Sequence, residues 1–538
     1  MKPQGQPNRA CPISAAEICA DPARFKQDVF LRPGVVVRPG PQQSETAKER
    51  AHQNKWIILA LVIVGAFMTT LDASIVNISL PSIARAFHTP FGSAVEWVII
   101  AYLVVIAATL LLFGRLSDIS GRKPIWLTGL VVFTLGSVLC GAAPSLTLLI
   151  AARSFQGLGG ALLLAPGVAI IADTFPAAER GFAFGLSAVA VALGTSVGPI
   201  LGGLITEHVS WRWIFYLNVP FGVLCLIGTL RVFDNPDKRD RQHLDLAGAV
   251  LFAIGFATLT LGLSFGQQWG WTSARVLSCV GSSIVALSAA VLVERSVRTP
   301  LINLAQLRNR VFASALLSMM AAMLALFAVS FMLPFYFEQL RGFSTATSGI
   351  LLTPLPLAIA VAAPVSGALA DRIGSRWLAS AGLAIACLGL LLLAQLDAHA
   401  SVWSISWRLG ITGLGQGIFQ SPNTRALMNA APAGEQGESS GLLATARVVG
   451  QTLSVAIAGA IFASSGGARA GQMLANSVPH ASLSSTEIST LQHLFLRSFR
   501  AALTVCAAFA ALGIVTALVR GRERPTARET ARGLAMPE

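Results

Sequence analysis

An ionisable side chain inside a bilayer costs about 3 kcal/mol or more, so a chain that keeps one there usually uses it. Two such groups stand out: Asp72 inside one long apolar run and Arg153 inside another. Each falls about seven residues, roughly 10 Å of helix, from the outer end of its run, and the two runs head in opposite directions. They are expected to face each other. Burial disfavours the carboxylate ion and an opposite charge favours it, so the protonation of Asp72 is expected to answer to Arg153, to water and to bound substrate. That is what a proton-coupling site needs; a static structural ion pair is the plainer alternative. Arg447 is a third buried charge with no acidic group at its depth. It either binds backbone carbonyls or stretches toward the interface.

Other chemistry finds little support. A membrane-embedded enzyme, the rival class, needs paired histidines, a His/Glu metal set or a nucleophile elbow clustered at one depth in a water-lined cavity, and the sequence reads as holding none. A phosphate-binding Gly-rich loop is also missing, so ATP is not the driver. Cys11 and Cys19 lie in the amino-terminal tail, while Cys140, Cys225, Cys279, Cys387 and Cys506 fall singly in apolar segments, with neither metal-ligand spacing nor a disulfide framework. Catalytic residues, metal and cofactor are therefore not expected.

These groups must be positioned by membrane helices. The 538 residues are 54% hydrophobic and only 12% charged, about half the charged share of a soluble chain. From Trp56 onward, fourteen apolar runs of roughly 18 to 24 residues recur, each long enough to cross ~30 Å of hydrocarbon. The first is placed at 57–79, the tenth at 346–369, the twelfth at 402–422 and the last at 499–519. The net charge of +14 would suggest nucleic acid if it formed a patch. It sits instead in short stretches between the runs, such as Arg122 with Lys123 and Arg520 with Arg522 and Arg524, where it sets topology. Retention of Lys and Arg on the inside places both termini in the cytoplasm. Residues 1–55 read as a disordered cytoplasmic tail and 521–538 as a second one. Tryptophans such as Trp56, Trp97, Trp211 and Trp271 fall near predicted helix ends, as an interfacial belt does.

The chain repeats itself. Gly114 to Lys123, after the second run, and Gly367 to Arg376, after the tenth, share the spacing of Gly, Asp, Gly and basic residues. Arg153, Gln156, Gly157, Gly159 and Gly160 correspond to Arg408, Gly413, Gly415 and Gly417 in the same way. The pattern predicts an amino-terminal six-helix half over 56–231, a linker with two extra helices over 232–300 and a carboxy-terminal six-helix half over 301–520. Repeated halves around a central cavity are transporter architecture.

Four segments resemble the major facilitator superfamily, specifically its fourteen-helix drug:proton antiporters of EmrB/QacA type. They are Leu71 to Pro81; Arg115 to Lys123; the antiporter pattern Gly185, Gly194, Gly198, Pro199, Gly202 and Gly203; and Trp211 to Pro220. By resemblance, the fifth helix lies between the halves and goes with exchange rather than import. Resemblance also makes Gly114, Asp118, Gly121, Arg122 and Lys123 a gating loop, with Asp118 meeting the amino-terminal end of the thirteenth helix near Glu438 to Gly441. The implied activity is export of small hydrophobic or monocationic compounds from the cell across the inner membrane, driven by the proton motive force. Asp72 with Arg153 would form the coupling site. Asn77, Gln156, Met323, Phe327 and Tyr336 are candidates for the substrate cavity, the last three on a Met- and Phe-rich face of a kind that is more often ordinary packing or lipid contact. Export of one dedicated metabolite, and a periplasmic adaptor as partner beside the lipid bilayer, fit the same residues.

Overall fold

The computed structural model describes residues 41–88, 93–233, 244–297, 300–432, 434–477 and 484–521. Of the tail expected over 1–55, residues 1–40 lie outside the described residues, as does the tail beyond Gly521; residues 41–55, expected to be disordered, are helical and belong to one helix, α1, from Pro41 to Ala86. Among the described residues every regular element is helical.

The amino-terminal part comprises α1, α2 (Ser93–Ser120), α3 (Arg122–Ala142), α4 (Leu146–Thr174), α5 (Arg180–His208), and the short α6 (Trp213–Tyr216) leading into α7 (Asn218–Val232). A hairpin of α8 (Leu246–Trp269) and α9 (Ala274–Ser296) follows. The carboxy-terminal part is α10 (Arg310–Phe335), α11 (Thr345–Leu352), α12 (Pro354–Ile373), α13 (Arg376–Leu393), α14 (Val402–Ala430), α15 (Gln436–Ser464), α16 (Gly467–Ser477) and α17 (Ser485–Leu518). Local chemistry sets the boundaries. Ser145, Asp245, Ser273, Asn309, Ser344, Ser401 and Ser484 each accept a backbone N–H of the turn they open. Gly121 and Gly374 begin and end helices at φ of 90° and 86°, a left-handed backbone in the same place of each repeated loop.

Among the described residues, thirteen helices are long and apolar enough to cross a membrane. The twelfth expected crossing is present as α14, 29 residues long, but Arg408, Gln416, Gln420, Asn423 and Arg425 make it too polar to count by composition. It packs against α5, α10, α12 and α13, so protein rather than lipid surrounds its buried Gln420, Asn423 and Arg425. Three further boundaries differ most from expectation. Helix α1 runs on to Ala86 rather than stopping at 79, α14 runs on to Ala430 rather than 422, and α17 opens at Ser485 rather than 499. The amphipathic α16 adds a short helix where a loop was expected.

The two parts meet along two seams, α2 against α15 and α5 against α12, related by the internal repeat. The α8–α9 hairpin rests on the first seam through α8, which touches both α2 and α15. Backbones approach closely where glycine allows it. A Cβ on Gly136 would lie 2.7 Å from Gln156 Cα, and one on Gly159 would meet the Phe133 backbone nitrogen. Gly159→Val is expected to cost about 1–3 kcal/mol through overpacking, read as a lowered midpoint in detergent thermal unfolding. Gly203→Ala, where a Cβ has nothing within 4 Å, should leave the midpoint in place. Equal midpoints for the two variants would contradict this packing.

Candidate functional site

Asp72 on α1 and Arg153 on α4 are both 0% exposed, with Arg153 Nη1 2.6 Å from Asp72 Oδ2. The other carboxylate oxygen, Oδ1, accepts from Gln156 Nε2 at 3.0 Å and from Asn218 Nδ2 at 3.1 Å. Arg153 also donates through Nη1 to Gln156 Oε1 at 2.6 Å and through Nε to the Val98 carbonyl at 2.9 Å. Gln156 Nε2 reaches Ser137 Oγ at 2.9 Å, and Cys140 Sγ donates to Gln156 Oε1 at 3.5 Å. The guanidinium carbon stands 4.2 Å from the Tyr102 ring centre and 5.7 Å from that of Phe215. A buried charge pair persists only when its surplus hydrogen-bonding groups are also met, and side chains or carbonyls of α2, α3, α4, α6 and α7 meet most of them here. Arg153 Nη2, Tyr102 Oη and Asn218 Oδ1 find no partner among the described residues.

Helix α5 closes on this cluster from outside. The Cβ positions of Gly194 and Gly198 would lie 3.0 Å from Leu71 N and 2.7 Å from Ser74 Cβ, the turns on either side of Asp72. Gly185 instead faces the other half, with its Cβ position 2.5 Å from Pro364 Cα on α12. Gly202 is buried and Gly203 borders open space, while Pro199 lies within the helix near Gly349. Residues 194–198 also spell Gly-Thr-Ser-Val-Gly, formally a nucleophile-elbow pattern that the sequence reading passed over. It lies within continuous helix, and Ser196 Oγ donates to the Ala192 carbonyl at 2.8 Å, so the strand-to-helix turn that exposes such a serine is not formed.

At one end of the bundle each seam is closed by an aspartate. Asp118 accepts the Gly437 N–H at 2.8 Å and the Glu438 N–H at 2.7 Å, capping α15. Asp371 accepts the Gly181 N–H at 3.0 Å and the Phe182 N–H at 3.1 Å, capping α5. A carboxylate on the first free amides of a helix meets both hydrogen-bond donors and the positive end of the dipole. Each has an arginine beside it. Arg122 Nη2 is 3.3 Å from Asp118 and its Nε 2.5 Å from Asp173 Oδ2, and Arg425 Nε is 2.8 Å from Asp371. Lys123 Nζ donates to the Phe233 carbonyl at 2.6 Å. The backbones must nearly touch for this geometry: a Cβ on Gly114 would sit 2.7 Å from Gly437 O, and Gly181 and Gly367 face each other as closely. The segment after α9 fastens the first seam further. Glu438 Oε1 accepts the Asn303 N–H at 2.6 Å, Glu435 accepts Gln306 Nε2 at 2.7 Å, and Arg115 Nη1 lies 3.5 Å from Glu438 Oε2.

A cavity of about 60 Å³ lies between α1, α3, α4, α5 and α15, lined by residues including Val62, Thr69, Trp126, Leu164, Ser187 and Arg447. The five residues expected to line a substrate cavity do not line this one. Gln156 is taken up by the Asp72 cluster. Met323 and Tyr336 are 3% and 0% exposed in the packing of α10, where Met323 backs onto Gly450 and Tyr336 Oη donates to the Asp397 carbonyl at 2.6 Å. Asn77 is exposed and bonds its own helix at the Ala73 carbonyl, and Phe327 is 37% exposed. The Met-rich face of α10 is thus largely packing against α15 and α17. The sequence reading missed Ser137, Tyr102, Asn218, Asp371 and Arg425 as members of these networks. Asp371 stood in the repeated loop, and only that repeat signalled it.

The family model described as Major Facilitator Superfamily matches residues 62–455 and 315–535. The chain is 35% identical over 415 residues to a riboflavin transporter of Clostridioides difficile, covering 77% of this chain and 89% of that one. It is 33% identical over 413 residues to a multidrug resistance protein of Mycobacterium tuberculosis, covering 76% of each. A tetracenomycin C resistance and export protein of Streptomyces glaucescens is 30% identical over 410 residues, again covering 76% of each. Among solved structures, the fold matches the human organic anion transporter MFSD10 with a TM-score of 0.60 at 15% identity, covering 86% of this chain and 99% of that one. It also matches the proton:xylose symporter XylE with a TM-score of 0.56 at 14% identity, covering 86% and 95%. With its membrane-spanning helices and paired seams, the chain belongs to the major facilitator superfamily and is a multi-pass membrane transporter.

Proposed function

We propose that this transporter is a fourteen-helix drug:proton antiporter that exports small hydrophobic compounds, with Asp72 as the proton site and no cofactor. The observation that carries the reading is the fully buried Asp72–Arg153 pair, whose charge balance changes when a proton arrives. Protonation of Asp72 from outside removes the attraction that holds Arg153 Nη1, and Gln156 and Asn218 are placed to take up the re-pairing. Loss of the proton to the inside restores the pair. Substrate occupying the cavity three residues along α1, at Thr69, would bias that exchange. The name of the Mycobacterium tuberculosis relative supports the multidrug reading.

The seams closed by Asp118 and Asp371 face the cytoplasm in this scheme, because their loops carry the retained basic residues. The conformation is then closed on the cytoplasmic side, where both chain ends also lie. Opening must break two charge-assisted caps, each worth about 1.5–3 kcal/mol. The positive Arg447 in the cavity wall disfavours the monocationic members of the expected substrate range. Export of one dedicated metabolite is a second reading, favoured by the name of the Streptomyces glaucescens relative.

Inverted vesicles with acidified lumens test the proton step. Neutral hydrophobic drugs are expected to dissipate the pH gradient with the wild type, while Asp72→Asn lowers that rate at least about tenfold, as removal of one partner of a buried pair should. Equal rates would remove Asp72 from coupling. The inside seam has its own readout. Ser440, 0% exposed on α15, is replaced by cysteine in a cysteine-free background and labelled from the cytoplasmic face. Asp118→Asn is expected to speed labelling about tenfold, a shift of ~1.4 kcal/mol, and Asp118→Asn with Asp371→Asn to speed it more. Unchanged labelling in the double variant would show that the caps do not hold the seam.

A further inference from the structure

The cavity holds one formal charge, and it is positive. Its lining residues include Arg447 but neither aspartate nor glutamate. Arg447 Nε is buried without a hydrogen-bond partner, and among the described residues its guanidinium pairs with no carboxylate. Eleven residues separate it from Gln436, where α15 begins (447 − 436 = 11), or about 16 Å of helix. That is beyond the reach of an arginine side chain, so the charge does not escape to the interface. Trp126, 1% exposed, stands in the same wall, and its Nε1 is likewise buried without a partner. Thr69, by contrast, spends its hydroxyl hydrogen on the Ala66 carbonyl at 3.0 Å.

Leaving a guanidinium without a counter-charge in an apolar wall is costly, and the cost is recovered by a ligand that brings acceptors. Resting on the export reading above, we propose that Arg447 and Trp126 form a donor subsite that seats a carboxylate, phenolate or carbonyl group of an aromatic substrate. Arginine suits this work because its charge is permanent and its planar fork matches a carboxylate. The size agrees: about 60 Å³ is room for a few waters or one small polar group, so the substrate body extends from the subsite as the cavity widens. The walls that would meet that body, Val62, Leu163, Leu164 and Val168, are apolar.

The test uses the full chain in nanodiscs of phosphatidylcholine, which excludes anionic lipid headgroups as rival occupants. Binding of fluorescein, anionic through its carboxylate and phenolate, is compared with that of rhodamine 6G, an esterified cation on the same ring frame. The wild type is expected to bind fluorescein at least tenfold more tightly; Arg447→Gln should erase that preference, Arg447→Lys should keep part of it, and Trp126→Phe should weaken fluorescein binding severalfold. Equal or tighter binding of rhodamine 6G by the wild type overturns the proposal. So does unchanged fluorescein affinity in Arg447→Gln, or binding of neither dye. Vesicle assays separate the two levels. Neutral drugs that still release protons while the dye preference is absent leave export standing and remove the subsite. A dye preference without any substrate-driven proton release keeps the subsite and removes export.

Discussion

The ion pair between Asp72 and Arg153 constrains everything packed around it. Two charges at 0% exposure survive only if every helix nearby supplies a dipole, an amide or a ring face. Gln156, Asn218, Ser137, Tyr102 and the Val98 carbonyl are that supply. Bringing them within bonding distance draws α1, α2, α3, α4 and α7 together, with Gly136 and Gly159 at the α3–α4 crossing; Gly194 and Gly198 let α5 close against α1 beside Asp72. The apolar clusters on either side then seal the pair from water. Chemistry at one point and the close packing of half the bundle are the same constraint.

The internal repeat is preserved at the seams and broken at the core. Asp118 with α15 and Asp371 with α5 form matching caps, each with an arginine neighbour and a glycine-to-glycine approach. Arg408, the counterpart of Arg153, has no carboxylate partner among the described residues, and its Nε is unpaired. In the proposed scheme proton chemistry belongs to the amino-terminal half, where the buried carboxylate lies, while both halves share the work of closing one end. Arg447 on α15 reaches across from the carboxy-terminal half into a cavity otherwise walled by α1, α3, α4 and α5. Substrate bound there would touch both halves at once, which is how occupancy can bias their rocking.

Much of this was legible in the sequence, for physical reasons. Apolar runs near the thickness of a bilayer locate helices well, because a membrane offers the backbone few alternatives. Buried charges are conspicuous for their cost, so Asp72, Arg153 and Arg447 could be named without a structure. Helix α14 shows the limit: surrounded by protein, it needs no apolar surface, and its end beyond Pro422 carried Arg425 out of view. Asn218, Ser137 and Tyr102 are ordinary residues on separate helices, and only three-dimensional packing brings them to Asp72. The Met-rich face of α10 stayed open between two readings for the complementary reason, since periodicity cannot tell a cavity wall from a helix contact. Nor did the sequence reveal that the segment after α9 ties Asn303 and Gln306 to Glu435 and Glu438.

The central claim is that substrate occupancy and the charge of Asp72 are linked within one buried cluster. Proton release on binding measures that link without a membrane gradient: a neutral transported drug is added to purified protein in weakly buffered detergent solution, and the pH change is followed. The account predicts that the wild type releases protons in proportion to bound drug and that Asp72→Asn binds the drug but releases none. Binding by the wild type without proton release, or equal release from both proteins, would contradict it.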